Sequence, residues 1–271
     1  MEETPMLEDV ARRALDGDPN ALDLLVRALQ GDVYGLALRM LWNREDAEDA
    51  TQEILVRIVT KLSQFDFQSR LRTWVYRVAV NYILDLRKSP TERMNLTFAR
   101  FADDLAAGLS SEGPLDGERS LLTEEVKIGC TLGMLQCLDR PHRLAYVLGE
   151  ILDLSGPEAS EALGIAPNVF RKRLQRARDA IVEFTRAYCG LVSDGAACRC
   201  NRRVAVAVHL GRANADALAF AERSASFEES RAVVRRVEEA RWALEVHRSA
   251  HPTALCVART ASCFRIIRLR S

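Results

Sequence analysis

Two neighbouring segments between Asn43 and Lys88 repeat apolar residues with the period of an α-helix. In the first segment the inward positions are Ala47, Ala50, Ile54, Val56, Ile58 and Leu62. In the second segment, which starts at Ser69, they are Leu71, Val75, Val78, Ala79 and Tyr82. Only a short turn separates the two segments, so we expect them to form one helical unit. Aromatic residues are only 6% of the chain, which also favours helices over a β-sandwich.

The first of these helices has an acidic outer face. Asn43 is a suitable N-cap, and carboxylates in the first turn complement the helix dipole. The polar residues left outside the apolar face are Asp46, Glu48, Asp49, Gln52 and Glu53. In an arbitrary protein such a cluster is most often a solvated helix start, and the functional alternative is a docking surface for a basic protein.

The second helix and the loop before it, residues 65–70, combine aromatic and basic residues. Aromatic rings and guanidinium planes stack on unpaired bases, and cations hold phosphates. The candidate nucleic-acid contacts are Phe67, Arg72, Trp74, Arg77, Asn81, Arg87 and Lys88. Taken alone, Trp74 and Tyr76 are more typical of core positions, and their place beside Arg72 and Arg77 adds weight to the nucleic-acid interpretation.

Changes in composition and helix-breaking residues divide the chain into predicted domains. Ser89-Pro90 ends the second helix, and the residues that follow combine Gly, Ser and Pro with acids. This composition predicts a flexible acidic linker. The predicted divisions are a first domain at 7–90, the linker at 91–124, a second domain at 125–186 and an extension at 187–271. Within the first domain we also expect a helix over 7–30, interrupted at Gly17-Asp18-Pro19, and a separate short helix from Val33 to Trp42.

A third pattern lies between Ser155 and Arg178. Ser155-Gly156-Pro157-Glu158 predicts a capping box, Gly164 a turn, and Pro167 the start of a second helix. That helix has a buried stripe at Phe170, Leu174, Ala177 and Ile181, and its outer face carries Asn168, Arg171, Lys172, Arg173, Gln175 and Arg176. This is the plan of a helix-turn-helix, whose second helix enters the major groove. The alternative is a helical hairpin with a charged outside.

Together these motifs resemble bacterial sigma factors of the extracytoplasmic-function (ECF) type. The acidic residues 46–53, with Arg72-Thr73-Trp74, Tyr76-Arg77 and Asn81, resemble sigma region 2, and residues 138–178 resemble region 4. The resemblance implies that the acidic face docks on the clamp helices of the β′ subunit of core RNA polymerase. It further implies that residues 65–88 recognise and melt the minus-ten element of promoter DNA and that residues 166–178 read the minus-thirty-five element. An anti-sigma factor is the other partner that the resemblance suggests.

The segment after Tyr188 continues beyond this resemblance. Cys189, Cys198, Cys200 and His209 would supply three thiols and one imidazole, a ligand set that zinc accepts. Their spacing matches no standard zinc motif. The chain has seven cysteines and no secretion signal, which favours reduced thiols over a disulfide framework. We therefore favour free thiols on a basic loop, predict neither metal nor other cofactor, and expect two helices within 216–247.

Charge and hydropathy indicate where in the cell the protein is expected. Lys+Arg and Asp+Glu are 38 each, so the net charge is zero, but acids and bases gather in separate segments. The N-terminal residues are acidic and do not resemble a signal peptide. No run of about eighteen apolar residues is present, so we expect a cytoplasmic protein without a membrane span.

The sequence as a whole predicts an all-α, ECF-like sigma factor with two small helical domains, a flexible acidic linker and a helical C-terminal extension. The alternative is a one-component helix-turn-helix repressor or activator with a Cys-rich sensing tail. Residues 43–88 separate the two, because a repressor needs neither an acidic docking helix nor a melting helix. No nucleophile–base pair or Gly-rich phosphate loop is apparent, and a zinc hydrolase would need an acid or base beside the metal, so we predict no enzymatic activity.

Overall fold

The computed structural model describes residues 6–87, 90–107, 117–214 and 218–220. Within these ranges the regular structure is helical, which confirms the predicted all-α class. The first helices are α1 (Leu7–Leu15), α2 (Pro19–Leu41), α3 (Arg44–Lys61), α4 (Leu71–Asp85), α5 (Pro90–Arg93) and α6 (Phe98–Ala106). They are followed by α7 (Gly117–Gln136), α8 (Arg140–Tyr146), α9 (Gly156–Leu163), α10 (Pro167–Tyr188) and α11 (Cys200–His209).

Packing divides the chain into two compact units. Among the described residues, the first unit joins those up to Arg87 with Ser155–Phe170, so it contains α1 to α4 and α9. The second unit joins Lys88–Leu154 with the segment that begins at Arg171, so it contains α5 to α8, most of α10, and α11.

The core of the first unit is built around α2, which packs against α1, α3 and α4. Ile54 and Ile58 of α3 and Val75 and Ala79 of α4, which the apolar pattern places inside, are at most 1% exposed. Burial of each Val or Ile contributes about 1.5–3 kcal/mol, so these stripes fix how α3 and α4 pack. The predicted inward residues Val56, Val78 and Tyr82 are only partly buried.

Helix α2 is longer than the sequence pattern predicts. The predicted break before Val33 is wrong, because Pro19–Leu41 forms one helix that continues through Gly31. A glycine inside a helix costs about 1 kcal/mol relative to alanine. Burial of Leu29 and Val33, on either side of the glycine, outweighs that cost. Trp42, the residue that follows the helix, has a φ of 49° in the left-handed region.

Side-chain caps fix where several helices begin. The Asn43 side chain accepts a hydrogen bond from the Asp46 backbone N–H at 2.9 Å, as predicted. The predicted capping box is also present, since the Ser155 N–H donates to Glu158 at 2.9 Å and the Glu158 N–H donates to Ser155 Oγ at 3.5 Å. Asp18 caps α2 in the same way. Each such cap stabilises its helix by about 1 kcal/mol.

A buried ion-pair network organises the second unit. The Glu92 side chain is 4% exposed and lies 2.5 Å from the Arg140 guanidinium and 3.1 Å from that of Arg143. Arg143 also donates to the carbonyls of Leu135 at 2.9 Å and Leu138 at 3.0 Å. These carbonyls lie at the C-terminal end of α7, where helices leave backbone acceptors unpaired. Arg143 therefore caps α7 while it pairs with Glu92.

Part of the predicted linker is helical. In α6 the Thr97 side chain accepts a hydrogen bond from the Arg100 N–H at 3.2 Å, and Phe101 and Leu105 are buried. The Phe101 ring stacks at 5.5 Å on that of Phe184 in α10. Residues 101 and 105 lie one turn apart, so they form an apolar stripe within a segment whose overall composition predicts a linker. Residues 108–116 of that segment lie outside the described part of the chain.

The extension begins as part of the second unit. Val204 and Ala207 of α11 form a hydrophobic cluster with Leu122 of α7. The Glu125 carboxylate of α7 accepts hydrogen bonds at 2.8 Å from the backbone N–H groups of residues 219 and 220. Apart from residues 218–220, the two helices predicted within 216–247 and the last twenty residues lie outside the described ranges. No helix within those ranges is long and apolar enough to cross a bilayer.

Candidate protein and nucleic-acid interfaces

The acidic face of α3 is presented to solvent. Asp46, Asp49 and Glu53 are exposed, and Glu48 and Gln52 are partly buried. Glu48 pairs with Arg44 at 3.0 Å and Glu53 with Arg57 at 3.3 Å, each within the helix. Asp46 and Asp49 form no ion pair with any residue that the structure describes. The face therefore keeps two carboxylates that can pair with a basic partner.

Arg57 connects this face to α4. Its guanidinium carbon lies 4.6 Å from the centroid of the Tyr82 ring. Burial raises the pKa of the Tyr82 hydroxyl, and the carboxylates of Glu53 and Asp49 raise it further. Tyr82 is thus a half-buried residue beside the acidic face, although the apolar pattern places it inside.

The loop before α4 holds three aromatic rings in contact. The Phe65 centroid lies 4.5 Å from that of Phe67 and 5.5 Å from that of Trp74. Phe65 is 3% exposed, whereas Phe67 and Trp74 are partly exposed. Phe67 has a φ of 59°, which a residue other than glycine rarely adopts and which the surrounding packing must sustain. The loop therefore holds the Phe67 ring in a defined position at the surface.

Arg12 of α1 covers this ring, although no motif in the sequence marks it. Its guanidinium carbon lies 3.8 Å from the Phe67 centroid. A cation over an aromatic face at an exposed site contributes about 0.5–1 kcal/mol. No local pattern links α1 to this loop, so only the fold brings the two side chains together.

Two kinds of polar residue lie on α4. Arg72 lies 3.2 Å from Asp32 of α2 and donates to the Tyr76 hydroxyl at 3.2 Å. Tyr76 is completely buried, and burial raises its pKa. Arg72 therefore helps to hold α4 on α2, and Tyr76 is a core residue. Arg77 and Asn81 are exposed and one helical turn apart.

The candidate base-contacting groups share one stripe of α4. Trp74, Arg77 and Asn81 follow the spacing i, i+3, i+7, which places them on the same side of the helix. Arg87 follows the helix and is exposed, and Lys88 lies outside the described residues. The stripe starts at Trp74, beside the aromatic loop. The aromatic rings are therefore followed on the same side by the Arg77 guanidinium and the Asn81 amide.

Helix α9, the first helix of the predicted helix-turn-helix, packs against α4 within the first unit. The Glu158 carboxylate lies 3.3 Å from the Arg70 guanidinium, immediately before α4. Hydrogen bonds from Ser155 and the positive charge of Arg70 lower the pKa of Glu158. The sequence predicts both helices, but no local pattern predicts that they touch.

The turn and the second helix of the motif agree with the predicted pattern. Gly164 has a φ of 62°, a conformation that favours glycine, and the Ile165 N–H donates to the Ser160 carbonyl at 3.0 Å. Helix α10 starts at Pro167 and buries Phe170, as expected. Of the predicted DNA-contacting residues, Arg173 is partly buried, and the exposed ones are Asn168, Arg171, Lys172, Gln175 and Arg176.

Two contacts restrict the outer face of α10. Gln175 donates to Asp179 at 2.7 Å, and the Arg178 Nε donates to Glu150 at 2.9 Å. Three exposed cations in the first turns of α10 form no ion pair with described residues: Arg171, Lys172 and Arg176. The first turns of α10 therefore offer a compact positive surface.

The cysteine segment does not assemble the ligand set that the sequence suggests as an alternative. Cys189, Cys198 and Cys200 are partly buried free thiols. His209 is exposed at the other end of α11 from Cys200, about 13 Å away at about 1.5 Å per residue. In the described part of the chain, no three His, Cys, Asp or Glu side chains are arranged to hold a metal ion. Cys130 of α7, which sequence reasoning missed, is near these thiols: burial raises its pKa, and they raise it further.

Similarity to known proteins agrees with this arrangement. The family described as sigma-70 region 2 matches residues 25–92. The RNA polymerase sigma-H factor of Pseudomonas aeruginosa is 28% identical over 179 residues, which are 64% of this chain and 91% of that protein. The ECF RNA polymerase sigma factor SigW of Bacillus subtilis is 28% identical over 181 residues, 65% of this chain and 95% of its own. The RNA polymerase sigma factor NccH of Alcaligenes xylosoxydans xylosoxydans is 30% identical over 172 residues, 63% of this chain and 90% of its own.

Among solved structures, that of CnrH in complex with the cytosolic domain of CnrY covers 63% of this chain and 91% of its own length. Its TM-score is 0.45, and its sequence identity is 24%.

Proposed function

This chain belongs to the extracytoplasmic-function sigma factors, and we propose that it binds core RNA polymerase, recognises promoter DNA and melts it for initiation. One observation carries the proposal. An exposed acidic face on α3 lies in the same unit as an aromatic and basic surface on α4 and the loop before it. Both lie within residues 25–92, the part that matches sigma-70 region 2.

Polymerase docking is assigned to the acidic face of α3. Asp46 and Asp49 have no ion pair to give up among the described residues, and the pair between Glu53 and Arg57 is exposed. Exposed pairs contribute about 0–1 kcal/mol, so a basic partner can replace Arg57 at little cost. The opposite side of α3 is buried, which holds the face rigid. The charges would set orientation and association rate more than affinity.

Strand opening is assigned to Phe67 and the α4 stripe. An unpaired base stacks on an aromatic side chain for about 1–3 kcal/mol, which offsets the few kcal/mol needed to extrude it. Phe67 and Trp74 supply the aromatic faces. On the same side, Arg77 supplies a cation for phosphate, and the Asn81 amide can bond a base edge. The loop already holds Phe67 in place, so little ordering entropy is lost on contact.

Upstream readout is assigned to the first turns of α10. Arg171 and Lys172 are exposed there and can bond the acceptors of guanine in the major groove. Asn168 lies in the first turn, where the helix dipole also favours a phosphate. Gln175 would exchange its bond to Asp179 for a base edge.

Promoter binding also requires α9 to leave α4. The minus-ten and minus-thirty-five elements are about 25 base pairs apart, or about 85 Å at about 3.4 Å per base pair. Helix α9 is joined by a short turn to the recognition helix, so its contact with α4 would restrict how far the recognition helix can reach along the promoter. A closed form with α9 on α4 would therefore precede an open form on the polymerase. An anti-sigma factor that favours the closed form remains a predicted partner.

Reconstituted transcription tests the proposal. Core polymerase free of other sigma factors is mixed with the full chain and promoter fragments from the genome that encodes it. We expect discrete transcripts only when the chain is present. A folded chain that directs no promoter-dependent transcript, and instead binds duplex DNA and blocks transcription by another sigma factor, would replace this proposal with the repressor alternative.

A further inference from the structure

Four of the seven cysteines lie in one part of the second unit. Cys130 is on α7, Cys189 follows α10, Cys198 is in the next loop, and Cys200 is the first residue of α11. All four are partly buried and none is in a disulfide. We call Cys130, Cys189, Cys198 and Cys200 the four-thiol cluster.

The backbone brings two members of the cluster side by side. Cys189 and Cys198 form an isolated parallel β-bridge, and the Gly190 N–H donates to the Cys198 carbonyl at 2.9 Å. Paired backbones lie about 5 Å apart. A Cβ at Gly190 would collide with the Cys198 carbonyl oxygen and the Arg199 guanidinium, so only glycine permits this approach. The Arg199 guanidinium in turn bonds the carbonyls of Ala196 and, at 3.0 Å, Asp194, which closes the loop.

Packing of α11 on α7 brings in the other two members. The hydrophobic cluster of Leu122, Val204 and Ala207 lies on these two helices. The thiols are close enough to influence one another electrostatically. Burial raises the pKa of both Cys130 and Cys200, and in each case Cys189 and Cys198 raise it further. Burial likewise raises the pKa of Cys198 to about 11.

Cys137 provides a contrast within α7. Its thiol bonds the Gly133 carbonyl at 3.5 Å within its own helix. Burial raises its pKa to about 12, and the charge that acts on it is that of Arg143 rather than another thiol. Cys137 therefore lies apart from the four-thiol cluster.

We propose that Cys130, Cys189, Cys198 and Cys200 bind one thiophilic divalent cation of the zinc type. Four thiolates in a tetrahedron are a standard structural zinc site. No three of these side chains are yet arranged around one point, so the proposal includes their turning inward when the ion binds. Protonated thiols have no reason to converge, whereas thiolates gain strong bonds to the metal.

The step balances as four S–H groups plus one Zn²⁺ giving a tetrathiolate complex of charge minus two and four released protons. Positive residues near the cluster offset that charge. Against the larger effect of burial, the positive charge of Arg203 lowers the pKa of Cys130 and Cys198, and that of Arg199 lowers the pKa of Cys189 and Cys198. The charge of Lys127 does the same for Cys200.

The proposed site would fasten α11 to α7, with an effect on α6. Arg203 of α11 donates to the Asp104 carboxylate at 3.0 Å and to the Asp104 carbonyl at 2.8 Å. Arg212, shortly after α11, donates to the same carboxylate at 2.8 Å. Metal binding at the base of α11 would thus stabilise the helix that holds the end of α6, immediately before residues 108–116.

Zinc content and thiol protection test the proposal in the full-length protein. The chain is purified under reducing conditions with added zinc, dialysed, and analysed by elemental mass spectrometry. We expect about one zinc ion per chain. Alkylation followed by peptide mass spectrometry should then find all four cluster thiols protected, and a chelator should expose them. Protection of Cys137 should not change with chelator.

Two matched variants identify the ligands. Cys130→Ser should lose the metal, and Cys137→Ser, in the same helix, should keep it. Cobalt substitution should give the intense absorption of a tetrathiolate complex in the wild type and in Cys137→Ser. A wild-type protein that retains no zinc, or a Cys189–Cys198 disulfide in its place, would overturn the proposal. So would chelator-independent protection of the cluster, a measurement that needs no variant and does not depend on whether Cys130→Ser folds.

Discussion

Removal of the Phe67 ring should impair promoter opening while initial binding to duplex DNA stays intact. The ring is partly exposed and held by contact with Phe65 at 4.5 Å, so an extruded base can stack on it while the loop keeps its conformation. Loss of one stacked base costs about 1–3 kcal/mol. Phe67→Ala should therefore reduce the fraction of open complexes by about 5- to 150-fold. Phe67→Tyr keeps an aromatic face and is the matched control.

Removal of the Arg12 side chain should have the opposite effect and increase promoter opening. Its guanidinium stacks 3.8 Å from the Phe67 centroid, so a base that takes this face must displace it. Loss of that contact, worth about 0.5–1 kcal/mol, should make Arg12→Ala open promoters about two- to fivefold more readily.

Permanganate reactivity of thymines in the minus-ten element measures opening in complexes with core polymerase. Closed-complex binding is followed separately by a salt titration, because it depends chiefly on phosphate charge. A thermal melt of each variant shows whether the domain is folded. The stacking role is wrong if folded Phe67→Ala opens the element as wild type does, or if Arg12→Ala reduces opening.

Three further predictions concern other parts of the chain. Arg171→Ala or Lys172→Ala should weaken footprints over the upstream element by about 1–3 kcal/mol, and unchanged footprints in both would contradict the assignment. Arg70→Glu, which keeps the Glu158 cap, should loosen α9 from α4 and raise transcription, whereas Arg70→Lys should not; equal transcription by the two variants would refute the contact. Glu92→Gln leaves two guanidinium groups without their buried anion and should cost about 3–5 kcal/mol of unfolding free energy by urea denaturation, whereas a loss below about 1 kcal/mol would be inconsistent.

Local patterns predict much of the fold because each helix carries its own signals. The Asn43 cap, the Ser155–Glu158 capping box and the turn at Gly164 all appear where the sequence places them. Each depends on residues no more than a few positions apart, so propensity and capping are enough. The predicted break before Val33 fails for the opposite reason, because tertiary burial of α2 overrides the local cost of Gly31.

Contacts between distant segments could not be predicted in this way. Three pairs of neighbours each require the packed structure: Arg12 over Phe67, Arg70 beside Glu158, and Cys130 near Cys198 and Cys200. The sequence predicts Arg72 as a DNA contact from its neighbours alone, whereas its bonds to Asp32 and Tyr76 give it a structural task as well. That interaction depends on α2, which no local signal connects to α4.

Binding to core polymerase tests the central claim most directly. Fluorescently labelled chain is titrated with core polymerase, and affinity is compared between wild type, Asp49→Lys/Glu53→Lys, and the control Asp179→Lys/Glu183→Lys. The two variants carry the same charge change at the same i, i+4 spacing on exposed helix positions. The account predicts tight binding by the wild type and the control. Binding of the α3 variant should be weaker by about tenfold or more, about 1.4 kcal/mol, because charge reversal places lysines against a basic partner and adds like-charge repulsion. Equal affinity of all three, or no binding by the folded wild type, would contradict it.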